Sequence, residues 1–253
     1  MQFYQLIRRM TNRSDTIYII GNGPSLNKID MGRLKVKDTI SFNRAFIAYN
    51  DWGFWPKYYM VVDKIVLENI KEKVRELIDN SPVELFFLPL WSKDYFGENE
   101  KIRYLNLRGS WLMGRRIWGN SFDRLSLIAN VGATSVPVMK IMGYNNFVII
   151  GTDCNYVEQN IKNVEIEHNP GDKSGRRIVF RSSGDDDPNH FRPDYFGKGT
   201  EYSKPQQTNH YKGWEFIAEN MKRKKANIIL CSPGSTLFSL FREGDFNEIT
   251  EKY

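Results

Sequence analysis

Thr16-Ile-Tyr-Ile-Ile20-Gly-Asn-Gly-Pro-Ser-Leu26 decides how the fold is read. Its first five residues are apolar or β-branched, the composition of a short buried strand. Gly21 and Gly23 follow at once, so the backbone can turn tightly and approach a ligand closely. Pro24 suits a first helical position, because the N–H it lacks would have no intrahelical partner. The spacing predicts a helix from Leu26 to Leu34, whose free N–H groups would face an anion. Strand, glycine turn and helix in succession open a nucleotide-binding α/β unit. The turn is not a P-loop, since no Gly-Lys-Ser/Thr follows. It also lacks the third glycine of the dinucleotide fingerprint.

The same alternation continues along the chain. Strands are expected at Thr39–Phe42, Tyr58–Val62, Glu84–Leu88, Ile102–Asn106, Phe147–Ile150 and Asn227–Cys231. Helical spacing covers Lys64–Asp79, with Ile65, Ile70, Val74 and Ile78 on one side, then Ala133–Met142 and Gln207–Arg223. In an open parallel sheet, ligands bind beyond the carboxyl ends of strands. Those ends are Asn22, Asn43, Asp63, Asp153 and Ser232, which make a candidate site. The span 157–205 is polar and has few apolar residues outside Ile178-Val-Phe180, so it is expected to form a lid or insertion. Residues 1–253 are then one α/β, Rossmann-like, mostly parallel domain carrying that lid.

Composition sets limits. With 41% hydrophobic residues, a core can be buried and disorder is not the default. A net charge of +6 favours anionic partners. The run Lys222-Arg-Lys-Lys225 ends a helix, where it complements the dipole, so no nucleic-acid partner is expected. Cys154 and Cys231 form no metal-ligand pattern and suit a reducing, cytoplasmic setting. Met1 to Ser14 has no continuous apolar stretch of a signal peptide. Phe3 to Met10 is basic and weakly amphipathic, which leaves room for peripheral contact with an inner membrane face beside simple packing on the domain. Oligomerisation stays open.

Gly21-Asn-Gly-Pro-Ser-Leu26 followed by Ile29-Asp30 resembles the start of the bacterial sialyltransferases of glycosyltransferase family 42. It also resembles the wider sialyltransferase-like and MptE-like group, which includes flagellin-glycosylation Maf proteins and 6-hydroxymethylpterin diphosphokinases. Ser41-Phe-Asn-Arg-Ala45, Gly132 to Tyr144, Gly151-Thr-Asp153 and Leu230-Cys-Ser-Pro-Gly-Ser235 match further motifs in order. The resemblance implies a GT-A-like fold that transfers a sugar from a CMP-sugar with inversion and needs no metal. A lid histidine would serve as base and tyrosine hydroxyls would stabilise the leaving phosphate. By position, Asn22, Ser25, Asn43, Thr134, Asp153, Asn155, Ser232 and Ser235 would line the donor site, with Gly23, Asp63, Tyr195 and Gly234 beside them. Two departures stand out. Asn155 occupies the first phosphate-tyrosine place, with Tyr156 one residue on. Ile128-Ala-Asn-Val-Gly132 replaces the family's Arg-Ile-Thr-Ser-Gly segment.

The chain has three histidines. His190, in Asn-His-Phe-Arg-Pro-Asp-Tyr-Phe-Gly197, lies in the expected lid, and a neutral imidazole suits removal of a hydroxyl proton. Its plain alternative is a surface histidine. His210, at a helix start, reads as structural, and His168 reads as part of a turn. Asp185-Asp-Asp187 invites a metal, but consecutive carboxylates do not converge on one ion; a solvated loop or a cap is the expectation. Asp153 ends a buried strand and serves either the chemistry or the turn that follows it.

Catalysis is therefore expected from His190, Asp153 and Tyr156. The expected reaction is inverting glycosyl transfer from a CMP-sialic-acid-type donor to a surface glycan, with no cofactor required and room for Mg²⁺ to assist. The alternatives are a pterin diphosphokinase using ATP and Mg²⁺, or a nucleotide- or glycan-binding module without activity.

Overall fold

The computed structural model describes residues 14–110, 119, 121–157, 164–168 and 178–253. The basic segment from Phe3 to Met10 lies outside them. Eight strands form the central sheet: β1 (Thr16–Ile20), β2 (Thr39–Phe42), β3 (Tyr58–Met60), β4 (Leu85–Pro89), β5 (Ile102–Leu105), β8 (Asn146–Ile150), β12 (Asn227–Leu230) and β13 (Arg242–Glu243). Their order is β13-β12-β8-β1-β2-β3-β4-β5, with every pairing parallel. A parallel pair, β6 (Leu107–Ser110) and β7 (Leu125–Leu127), lies apart from it. So does an antiparallel sheet of β9 (Val164–His168), β10 (Ile178–Ser182) and β11 (Glu201–Ser203), ordered β11-β10-β9. His168 thus ends a strand rather than sitting in a turn.

Parallel strands are covered on both faces, so the central ones read as unbroken apolar runs. Alternate residues of β1 and β8 enter opposite layers. Ile17, Ile19, Phe147 and Ile149 pack with Val136, Met139, Trp214 and Ile217. These belong to helices α2 (Val131–Ile141) and α3 (Gln207–Arg223). Tyr18, Ile20, Val148 and Ile150 pack with Leu26, Leu34, Phe246 and Ile249. Helix α1 (Lys64–Asn80) lays Leu67, Ile70, Val74, Leu77 and Ile78 against Tyr59, Phe86 and Leu88.

The helix expected over Leu26–Leu34 does not form. Two single 3₁₀ turns, Pro24–Lys28 and Met31–Leu34, stand there instead. Ile29 is extended, and Asp30 bonds its side chain to the Gly32 N–H, which starts the second turn afresh.

Candidate functional site

After β1 the chain builds β2 to β5 on one side; β8 returns on the other side and leads to β12. The reversal lies between β1 and β8, where an α/β sheet opens its crevice. Two glycine turns meet there. Gly21 N–H donates to the Ile150 carbonyl and Gly23 N–H to the Gly151 carbonyl, both at 2.8 Å. Ser25 N–H donates to Asp153 Oδ2 at 3.0 Å. A Cβ on Gly21 would sit 2.2 Å from the Gly151 carbonyl oxygen, and one on Gly23 would sit 2.0 Å from Asp153 Oδ2. The glycines therefore serve close packing of one turn on the other. These three N–H groups are spent and no long helix follows, so they are not free to cradle an anion.

Beyond the strand ends lies a cavity of about 980 Å³, at the upper end of the range typical for small-molecule sites. Its wall brings together Asn22, Gly23, Asn43, Asp63, Asp153, Asn155, Tyr156, His190 and Tyr195 from the expected set. Among the described residues, the buried side-chain polar atoms without a hydrogen-bond partner are Asn22 Oδ1, Ser25 Oγ, Asn43 Oδ1, Arg44 Nε, Asp153 Oδ1 and His210 Nδ1. Every one belongs to this wall or to a residue at its strand-end turns. Buried polar groups are normally satisfied, so this concentration around one cavity sets the region apart from the rest of the described core. Backbone strain gathers there too. Of the non-glycine residues with positive φ among the described residues, Asn43 (52°), Ala129 (42°) and Cys154 (54°) line the cavity, and Lys225 does not.

Ser25, Thr134, Ser232, Gly234 and Ser235 lie outside the wall. Thr134 Oγ1 accepts from the Ile128 N–H (2.9 Å) and donates to the Asn130 carbonyl (2.8 Å), shaping the loop ahead of α2. Ser232 Oγ accepts from the Thr152 N–H at 3.0 Å, and Ser235 Oγ donates to the Thr152 carbonyl at 2.7 Å. Gly234, with φ of 83°, turns the chain between them. Asp63 is on the wall, and its Oδ1 caps α1 by accepting from the Val66 N–H at 3.1 Å.

His190 reaches the cavity on the segment after β10. Its Nδ1 lies 2.7 Å from Asp187 Oδ2. Its ring stacks on buried Tyr195, with centroids 3.9 Å apart and 2° between the planes. The next residue ties this segment to the glycine turn. Phe191 N–H donates to the Asn22 carbonyl at 2.9 Å, and Asn27 Nδ2 donates to the Phe191 carbonyl at 3.0 Å. Arg192 fastens the outer side through Asp194 and Asp51, at 2.8 Å each. Asp185 and Asp187 of the acidic run take separate partners. Asp185 Oδ1 accepts from the Lys198 N–H, and among the described residues no group of His, Cys, Asp and Glu is arranged to hold a metal.

Three further wall residues escaped the sequence. His210, in the first turn of α3, lines the cavity edge-on to Tyr156, with centroids 5.4 Å apart. Burial lowers its pKa from 6.5 to about 4, so it is neutral near pH 7. Lys204, just after β11, is the one lysine or arginine among the described wall residues. Asn130 caps α2 by accepting from the Ala133 N–H at 2.8 Å, which turns that helix N-terminus toward the cavity. Cys154 is also on the wall, but burial raises its thiol to about 11, which removes the thiolate needed of a nucleophile.

The chain is a parallel α/β sheet with a cavity at its switch point. The chain shares that fold with the sialyltransferase CstII from Campylobacter jejuni in complex with cytidine-5'-monophosphate. The two align with a TM-score of 0.51 and 15% identity, over 91% of this chain and 85% of that one. A singly substituted form of the same sialyltransferase, also with CMP, aligns at 0.51 and 16%, over 90% and 86%. The Maf glycosyltransferase from Magnetospirillum magneticum AMB-1 aligns at 0.49 and 13%, covering 95% of this chain and 34% of that one. No protein-family model and no curated protein matches the sequence.

Proposed function

We propose that this chain is an inverting glycosyltransferase that moves a sugar from a nucleotide donor, of the CMP-sialic-acid type, to a hydroxyl of a surface glycan. The observation that carries the proposal is the cavity at the strand ends, whose wall brings Asn22, Asn43, Asp63 and Asp153 together with Tyr156 and His190. Asn22, Asn43 and Asp153 offer donors and acceptors to the base and ribose of a nucleotide. The N-terminus of α2 and Lys204 offer positive charge to its phosphate. The described residues 178–205 cover the acceptor side of a single domain, which acts in the cytoplasm with peripheral contact at the inner membrane face. Among the described residues no helix is long and apolar enough to cross a bilayer.

In the reaction, His190 takes the proton of the acceptor hydroxyl. Its oxygen attacks the anomeric carbon, the bond from that carbon to the phosphate oxygen breaks, and the nucleotide leaves with the electron pair. Tyr156 donates to the departing phosphate. Release of CMP from a CMP-sugar in the presence of a glycan acceptor tests the proposal, with proton NMR reading the anomeric configuration of the product against that of the donor. Transfer with inversion supports it; retention, or release that ignores the acceptor, counts against it.

The second reading, pyrophosphoryl transfer from ATP to a pterin, draws on Asp63 and Asp153, both on the wall. It needs Mg²⁺ bridging the phosphates. Each carboxylate already holds a backbone N–H through one oxygen, and this favours the glycosyl reading. A module that binds nucleotide or glycan without turnover would fail the CMP-release assay while still binding its ligand.

A further inference from the structure

We infer that Asp187 is a positioning residue for His190: it fixes the imidazole as the Nδ1–H tautomer and leaves Nε2 as the nitrogen that takes a proton. The inference rests on the reading of His190 as the base. An ionised carboxylate can only accept, so the 2.7 Å contact from His190 Nδ1 to Asp187 Oδ2 places the hydrogen of a neutral ring on Nδ1. Both side chains are largely shielded, at 15% and 8% exposure, so water competes poorly for that contact.

Asp187 is itself held still. Its Oδ1 accepts from the Asn189 N–H at 2.9 Å, and its own N–H donates to the Pro193 carbonyl at 2.9 Å. The ring is fixed from its other sides by the parallel stack on Tyr195 and by the Phe196 ring, edge-on with centroids 4.9 Å apart. The backbone beside it is bonded to Asn22 in the glycine turn. Plane and tautomer are both set before substrate arrives, which is what general-base catalysis requires of its base. Asp185 and Asp186 are exposed, and Asp185 is spent on the Lys198 N–H, so Asp187 is the member of the acidic run that serves the ring.

The test uses the full chain labelled with ¹⁵N-histidine, with the His190 signals assigned by loss in His190→Gln. At a pH where the ring is neutral, wild type should show a protonated Nδ1 and a bare Nε2. Asp187→Asn and Asp187→Ala should move the signals toward a tautomer mixture, and Asp187→Glu should restore them in part. In the transfer assay, Asp187→Asn should lower kcat at least about tenfold, and by no more than His190→Ala, with donor KM unchanged. On a His190→Ala background the substitution should cost nothing further. An unchanged tautomer and wild-type kcat in Asp187→Asn would overturn the inference while leaving the base assignment intact. A fully active His190→Ala would instead overturn the base assignment. A chain with no transferase activity still answers the tautomer question. A variant that fails to fold is recognised by lost thermal cooperativity, and Asp187→Asn, nearly identical in shape, then carries the decision.

Discussion

The two sides of the cleft treat their polar groups in opposite ways. After β1 and β2, Asn22, Ser25 and Asn43 each leave a buried oxygen without a partner; Asp153, after β8, is the exception on the far side. After β8 and β12, Ser232 and Ser235 spend their hydroxyls on the backbone of Thr152, and Thr134, in α2, spends its own on residues 128 to 130. An unsatisfied buried group costs stability, so its persistence calls for a role. A satisfied one belongs to the scaffold. On the function proposed above, the first set would hold the donor and the second would hold the first in place.

The sharpest break in that division is at His190. His190→Ala should lose about 10²- to 10⁴-fold in turnover, the usual contribution of a general base, and bind nucleotide as the wild type does. Single-turnover kinetics beside calorimetric titration of the nucleotide separates the two. A loss of nucleotide binding equal to the loss of rate would move His190 from the chemistry to the donor site.

His210 gives the next effect, through pH. Its folded pKa of about 4 lies below its ordinary 6.5, so the unfolded chain takes up the proton first. Stability should be unaffected above pH 6.5 and should fall as pH drops from 6.5 toward 4, by on the order of 3 kcal/mol. Urea unfolding at pH 7 and pH 4.5 measures it, and His210→Phe should flatten the difference. An equal acid loss in both proteins would place the titration elsewhere.

Gly21→Ala probes the seam between the two sides. Its Cβ would meet the backbone oxygen of Gly151, which cannot rotate away, so about 1–3 kcal/mol of stability should be lost. Thermal unfolding reports it. An unchanged melting temperature would show that the two turns are not packed as described.

The smallest effects divide the two sides most cleanly. Asn22→Ala, and Asn43→Gly, which keeps the positive φ at that position, should weaken nucleotide binding about tenfold, the worth of one good hydrogen bond. Both should unfold near the wild-type temperature. Ser232→Ala and Thr134→Val should do the reverse, losing about 1 kcal/mol of stability with nucleotide affinity unchanged. Titration calorimetry and urea melts on all four would blur the distinction if both pairs moved both quantities.

The sequence carried the strands, their order of alternation and the strand-end positions Asn22, Asn43, Asp63 and Asp153, because apolar runs and the residue that ends them are local features. It could not tell which strand-end hydroxyls were spent. Ser232 meets Thr152 across 80 residues, and only the folded pairing of β8 with β12 brings them together. Gly21 and Gly23 were legible as a turn, but their service to the facing Gly151–Asp153 turn was not. His210 reads as the start of a helix in any helical pattern; that this first turn faces the cavity depends on where α3 docks. Asp187 was hidden among three equal carboxylates until the loop chose one of them.

The most direct measurement is a thermal-shift comparison of CMP, UDP, GDP and ATP, each with and without Mg²⁺. A ligand that binds only the folded chain raises its melting temperature. CMP should give the largest rise, the same with and without Mg²⁺, and Asn22→Ala should reduce it. A rise confined to ATP with Mg²⁺, or no rise with any nucleotide, would contradict a CMP-sugar transferase.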